Sequence, residues 1–393
     1  MFDRPGSGEK AVLVQLDFGE GDFAERLSEF ELLIASATAK SVGVVTGRRA
    51  APDSALFAGK GKVAEIAEFA HAHDADLVVF NHPLSPAQQR NLERELKRRV
   101  VDRNTLILDI FALRANSHEG KLQVELAQLQ HMATRLVRGW THLDREKGGV
   151  GMRGPGEKQL ETDRRLLGKR VALLKDRLKV LQRQRGIRRK SRSRSEVLSV
   201  SLVGYTNAGK STLFNALTKA GAYAADKLFA TLDTTSRRLY VEDAGQIVLS
   251  DTVGFIRDLP HTLVAAFHAT LEETAQADLL LHVVDAASPA REQQIASVNQ
   301  VLVEIGAAEV PQILVWNKID ATLVAPGIDI EDDTLTANNA CNSAYGKIRR
   351  VRLSAKCGDG LGLLRGALAQ ISNSRNSSIS SYQTSPDSET EIA

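Results

Sequence analysis

From Gly204 to Ser211 the chain reads Gly-Tyr-Thr-Asn-Ala-Gly-Lys-Ser. Gly204 and Gly209 let backbone N–H groups turn inward at a helix N-terminus, where orphan donors and the helix dipole favour an anion. Tyr205, Thr206, Asn207 and Ala208 complete this phosphate loop. Lys210 brings a point charge to the β- and γ-phosphates of a nucleotide, and the Ser211 hydroxyl is a Mg²⁺ ligand. A second motif, Asp251, Thr252, Val253 and Gly254, follows the apolar run IVLS. At a strand end Asp251 reaches the metal through water, and the Gly254 N–H is placed to sense a γ-phosphate. Between the two motifs lies Phe229, Ala230, Thr231, Leu232 and Asp233. A loop there offers Thr231 as a second Mg²⁺ ligand. Lys210, Ser211, Thr231 and Gly254 are the expected catalytic set.

The base is chosen further on. Asn317, Lys318, Ile319 and Asp320 follow the apolar strand QILVW. The Asp320 carboxylate can accept from the N1–H and N2–H₂ edge of guanine, a donor pair that adenine lacks, and a site built for those donors rejects a base without them. Lys318 can lay its stem over the base, and Asn317 can brace the loop. Ser354, Ala355 and Lys356 follow IRRVRL and bring N–H groups toward the guanine oxygen. Four motifs in order, each at a strand end, predict a GTP site at the carboxyl edge of a parallel sheet. The residue after Gly254 is Phe255. Where many GTPases hold a water-orienting Gln, this chain has no polar group, so hydrolysis uses another group or waits for a partner. The Asn207 amide has two open roles, holding a K⁺ beside the phosphates or bracing the loop.

Such a site needs strands and helices in alternation. Residues 11–17, 41–47 and 76–80 are short apolar strands, with helical stretches at 23–38, 63–73 and 86–99, and together they predict an N-terminal α/β domain over 1–118. Ala58–Lys62 (AGKGK) lacks phosphate-loop spacing and reads as a turn before a helix. Leu122, Leu126, Leu129, Ala133, Leu136 and Trp140, then Leu160, Leu167, Val171, Leu174, Leu178 and Leu181, recur every three, four or seven positions. That stripe predicts two helices packed as an antiparallel hairpin over 119–190. The IRRKSRSRS stretch (187–195) reads as a polar linker, 196–373 as the G domain with a mostly parallel sheet, and 374–393 as a disordered tail, the serine-rich stretch beginning near Ser372. The Asp243–Gln246 segment reads as a hairpin turn, and the long polar stretch 321–347 as an accessory loop.

Charge is segregated along this plan. Residues 145–194 hold eighteen Lys/Arg against five Asp/Glu, a local excess of +13 in a chain of net charge +3. A polyanion site and a solvated helical face both fit that block. Arg153, Arg164, Arg165, Lys169 and Arg170 are the candidate RNA contacts. Five glycines among residues 148–156 make the connector between the two helices unable to continue either one, and they allow close backbone approach. A flexible linker is the other reading. No run approaches the length of a membrane span. Two cysteines, Cys341 and Cys357, suit a reducing cytoplasm, and no histidine partners Cys357 as a nucleophile.

With these residues assembled, the chain resembles the HflX family of ribosome-associated GTPases. Its most specific stretch is GGVGMRGPGEKQLETDRR (148–165), close to the pattern GG-[IV]-G-x-R-GPGE-x-QLE-x-DRR. The resemblance implies Mg²⁺-dependent GTP hydrolysis, GTP and GDP as ligands, and the large ribosomal subunit and its RNA as partners. It also implies the glycine-rich loop directed at the peptidyl transferase centre, and the splitting or rescue of stalled ribosomes under stress. A cytoplasmic monomer is expected. A factor for large-subunit maturation, or an RNA-binding module with a nucleotide-sensing G domain, would use the same residues.

Overall fold

The computed structural model describes residues 8–19, 21–139, 155–193, 197–218, 228–260, 263, 266–267, 271, 273–330 and 348–383. Contacts divide the chain into two compact units, the first comprising 1–183, 227–232 and 258–267, the second 184–226, 233–257 and 268–393.

The first unit is built on β1 (Lys10–Asp17), β2 (Lys40–Arg48), β3 (Leu77–Phe80) and β4 (Arg99–Asp102), all parallel in the order β2-β1-β3-β4. Helices α1 (Phe23–Ser36), α2 (Lys60–Ala72), α3 (Pro86–Leu96) and α4 (Arg103–Arg114) alternate with them. Val12, Val14, Ile66, Val78, Phe80 and Leu92 are fully buried in its core. As expected, AGKGK turns into α2. Strand β4 was not foreseen. The helix expected over 86–99 stops at Leu96 because Lys97 turns left-handed at φ 50°, which releases the buried Val100 and Val101 into the sheet.

Asp102 at the end of β4 caps α4, accepting from the Thr105 N–H at 2.9 Å, and its other oxygen takes Arg135 at 2.6 Å. That pair, its carboxylate buried and its guanidinium partly exposed, ties α5 (His118–Gly139) to the sheet. Leu122 and Leu126 of α5 meet Leu174 and Leu178 of α6 (Pro155–Ser193), bordered by Leu129, Val171 and Leu181. The three-and-four spacing is therefore the seam of the hairpin. The side chains of Leu136, Trp140 and Leu160, and the 140–154 connector with Arg153, lie outside the described residues. Helix α6 runs to Ser193, so IRRKSRS is helix rather than linker. Arg, Lys and Gln are strong helix formers, and the polarity that suggested a linker does not oppose one. The 227–232 and 258–267 segments join this unit through Phe111, whose ring lies 4.6 Å from Phe229 and 5.1 Å from Phe267, and through Ser36, whose Oγ accepts the Leu228 N–H at 2.9 Å.

The second unit carries β5 (Leu198–Gly204), β6 (Thr235–Val241), β7 (Gly245–Asp251), β8 (Leu279–Asp285), β9 (Gln312–Asn317), β10 (Gly327–Ile330) and β11 (Ile348–Arg352) in the order β10-β11-β9-β8-β5-β7-β6. The five inner strands are parallel, and only the edge strands β6 and β10 run antiparallel. Helices α7 (Lys210–Thr218), α8 (Arg291–Glu304) and α9 (Leu361–Gln383) belong to it. The β6–β7 turn is residues 242–244, one residue earlier than expected, with Asp243 at φ 68°. The 321–347 stretch is not wholly loop, since β10 pairs with β11 and Asp329 reaches Arg352 at 3.2 Å and Arg350 at 3.6 Å. Helix α9 carries the serine-rich stretch as far as Gln383, so Ser372–Gln383 are not a disordered tail. Leu364, Leu368 and Ile371 keep one face of it buried, and Arg375 holds Asp278 at 3.0 Å. Among the described residues no helix is long and apolar enough to cross a membrane.

Candidate functional site

Strands β5, β7, β8, β9 and β11 all end at one edge of the second unit's sheet, and each end carries a polar motif. The phosphate loop leaves β5 and enters α7 at Lys210. Gly209 stands at φ +92°, and a Cβ there would lie 2.2 Å from Asn317 Nδ2. Only glycine fits that crossing. A Cβ on Gly254 would lie 2.9 Å from Thr206 Cγ2 and 3.0 Å from Lys210 Nζ. Thr206, Lys210 and Gly254 therefore converge on one spot.

Two backbone bonds lock the DTVG motif to the phosphate loop. The Thr206 N–H donates to the Phe255 carbonyl at 2.7 Å, and the Phe255 N–H donates to the Gly204 carbonyl at 3.1 Å. Phe255 itself is fully buried, so it serves packing and can orient no water. The Tyr205 hydroxyl accepts the Arg257 N–H at 2.9 Å, extending the tie. Lys210 Nζ donates to the carbonyls of Gly204 and Tyr205 at 3.0 and 2.8 Å. Burial pushes its pKa down to about 8, partly opposed by the Asp251 carboxylate. A phosphate beside it would restore the charge. Among the described residues the buried Thr206 hydroxyl finds no hydrogen-bond partner, an unmet cost that a phosphate oxygen would relieve.

Ser211 Oγ donates to Asp251 Oδ2 at 2.7 Å, and Asp251 is buried. A hydroxyl beside a buried carboxylate is an oxygen donor set that fits Mg²⁺, which takes one or two protein ligands and completes its shell with water and phosphate. Among the described residues there is no cluster of three His, Cys, Asp or Glu able to cage a metal alone. Phe229, Ala230, Thr231 and Leu232 fall in the first unit. Lys210, Ser211, Asp251 and Gly254 come together within the second. Asp233 lies in the second unit. Asn207 is exposed and stands at φ 60°.

Asn317 is the hub of the base-side loops. Its Nδ2 donates to the Ala208 carbonyl at 2.9 Å, and its Oδ1 accepts the Ala355 N–H at 2.9 Å. One buried amide thus joins the phosphate loop, NKID and SAK. Ser354 Oγ donates to Asp320 Oδ1 at 2.6 Å, which fixes an exposed carboxylate with capacity left for two more donors. The Ala355 N–H is spent on Asn317 and that of Cys357 on Ser354. Ile319 is buried in the 3-10 turn that carries Asp320. The sequence motifs missed Asp285, whose Oδ2 lies 2.8 Å from Lys318 Nζ. Its signal was LLLHVVD, a continuous apolar run closing on a carboxylate.

A second surface belongs to the hairpin. Arg164, Arg165, Lys169, Lys175, Arg177, Lys179 and Arg183 of α6 are exposed while Leu174 and Leu178 are buried. Arg170 is exposed too, and its Nε and Nη2 both donate to Glu125 Oε1, at 2.8 and 2.6 Å, within the hairpin.

The architecture has known counterparts. Residues 24–112 match the family described as GTP-binding GTPase N-terminal, 114–192 the GTP-binding GTPase Middle Region, and 199–318 the 50S ribosome-binding GTPase. GTPase HflX of Escherichia coli strain K12 is 56% identical over 371 residues, which cover 94% of this chain and 84% of that one. The chain belongs to the HflX family of GTPases. Within that family, GTPase HflX of Caldanaerobacter subterraneus subsp. tengcongensis is 47% identical over 331 residues, covering 84% of this chain and 77% of the other. A solved structure described as a crystal structure of SsGBP and GDP complex shares the fold with a TM-score of 0.50 at 25% identity, over 93% of this chain and 98% of that one. As an HflX-family member the chain binds GTP and GDP and hydrolyses GTP.

Proposed function

We propose that this GTPase docks on the large ribosomal subunit through the basic face of its hairpin and uses GTP binding and hydrolysis to split or rescue stalled ribosomes in the cytoplasm, acting as a monomer. The row of exposed cations on α6, opposite a buried leucine seam, carries the proposal. A solvated face needs no such one-sided excess, whereas an RNA backbone is neutralised by it through release of condensed counterions. The match of residues 199–318 to a family described as 50S ribosome-binding GTPase supports the same partner.

In this reading the loop from Gly204 to Ser211 binds the phosphates, with Lys210 charged once they arrive. Ser211 and Thr231 would hold Mg²⁺ directly and Asp251 through water, and the ion would neutralise charge developing on the phosphates. The Gly254 N–H would report the γ-phosphate. Asn207 would hold K⁺ beside them. Asp320 would pair with the guanine edge, the Lys356 N–H would meet its oxygen, and Asn317 would keep the three loops in register. With Phe255 buried, no residue after DTVG orients the attacking water, so turnover should be slow until the ribosome completes the site.

Charge reversal tests the docking claim. Arg164→Glu, Arg165→Glu and Lys169→Glu together should weaken binding to purified large subunits and flatten its dependence on salt by roughly two to three units of log–log slope. GTP binding by the free protein should not change. Unaltered affinity and an unaltered salt slope would reject this face as the RNA contact.

A further inference from the structure

We infer that Asp285 is a positioning residue for guanine binding, holding the Lys318 ammonium so that the lysine's stem is fixed before nucleotide arrives. The inference rests on assigning Lys318 to the base. Asp285 is the last residue of β8 and lies directly across from Asn317, the last of β9. Its two oxygens have separate duties. Oδ1 accepts the Ala287 N–H at 3.0 Å and shapes the loop after β8, while Oδ2 lies 2.8 Å from Lys318 Nζ. The neighbouring Ala286 N–H donates to the Asn317 carbonyl at 2.9 Å, which clamps the two strand ends together.

The other members of NKID are held by other loops. Asn317 is fixed by Ala208 and Ala355, and Asp320 by Ser354. Among the described residues the Lys318 ammonium meets Asp285 alone. Its backbone stands at φ 63°, a left-handed setting that fixes where the side chain begins. Asp285 fixes where it ends. A lysine has four rotatable bonds and a strongly hydrated head that ordinarily seeks water. Here its side chain is 32% exposed and that of Asp285 20% exposed. A partly exposed ion pair adds little to fold stability. Its consequence is geometric: the apolar stem is stretched between two anchors beside the base-selecting carboxylate, and rotamer freedom that binding would otherwise remove is already gone.

The test uses the full chain, a fluorescent GDP, and competition by GTP and ITP, whose base lacks the 2-amino group. Asp285→Asn keeps an acceptor for the Ala287 N–H and loses the anion. It should weaken GTP and ITP by the same factor, about fivefold, because the stem covers the ring and ignores the 2-amino group. In a Lys318→Met background, which keeps an apolar stem without the charge, Asp285→Asn should change nothing further. Thermal melts of the variants should match. Wild-type affinity in Asp285→Asn would overturn the inference. So would a loss that persists beside Lys318→Met, which would place the effect in the loop at Ala287, or a loss confined to GTP, which would place it at Asp320. If Lys318→Met itself leaves binding unchanged, the assignment of Lys318 to the base falls too. A weakened Lys318→Met with a normal Asp285→Asn sinks the positioning role alone.

Discussion

Asn317→Ala is the sharpest test of how the nucleotide site is organised. The amide is 2% exposed and makes two bonds of 2.9 Å, one to the Ala208 carbonyl and one from the Ala355 N–H. Truncation leaves both backbone groups unpaired where water does not reach. Each orphan costs about 1–3 kcal/mol, so the loops together lose roughly 4 kcal/mol of organisation. Some of that appears as lower stability and the rest as weaker binding. At about 1.4 kcal/mol per tenfold, a loss carried wholly by binding corresponds to roughly a thousandfold in affinity for GDP. Because the amide joins the phosphate loop to both base loops, GTP, ITP and XTP should lose alike. Titration of a fluorescent GDP, with a urea melt of the same preparation, separates the two shares. An Asn317→Ala protein within threefold of wild type in affinity and unchanged in stability would refute the hub.

Two further outcomes follow from single residues. Asp320→Asn sets an amide donor against a guanine donor, and GTP affinity should fall at least a hundredfold while XTP affinity rises. Competition titrations read both, and an unchanged GTP affinity would contradict the base pairing. His282 on β8 is almost wholly buried, and that burial holds its pKa down at about 4. The unfolded chain, titrating near 6.5, therefore binds more protons between those values, and stability is lost as pH falls through that window while it is fully present above it. Urea midpoints should show a loss of about 2 kcal/mol from pH 7 to pH 5 that His282→Leu largely removes. A variant with the wild-type pH profile would contradict that assignment.

Where motif chemistry and backbone geometry coincide, the sequence was easy to read. The phosphate loop, DTVG, NKID and SAK each need a strand end, and β5, β7, β9 and β11 supply one. The leucine spacing of the hairpin survives in the Leu122, Leu126, Leu174 and Leu178 seam. Three errors share a cause. IRRKSRS, the serine-rich end of α9 and the stretch containing β10 are all polar, and polarity was taken to mean loop. In α9 a buried face decides otherwise, with Leu364, Leu368 and Ile371 spaced four and three apart and Arg375 holding Asp278. In β10 the partner strand decides, since Asp329 sits across from Arg350. Such effects come from distant residues, and local composition does not carry them.

The central claim is nucleotide-controlled action on the large ribosomal subunit, and pelleting with purified subunits through a sucrose cushion tests it most directly. With a non-hydrolysable GTP analogue the protein should sediment with large subunits, stay in the supernatant with small subunits, and leave the large subunits when GDP replaces the analogue. Large subunits should also raise its GTP turnover at least tenfold, since the buried Phe255 that follows DTVG cannot itself orient water. Equal sedimentation with both subunits, or large-subunit binding that ignores the nucleotide with turnover unmoved, would contradict the account.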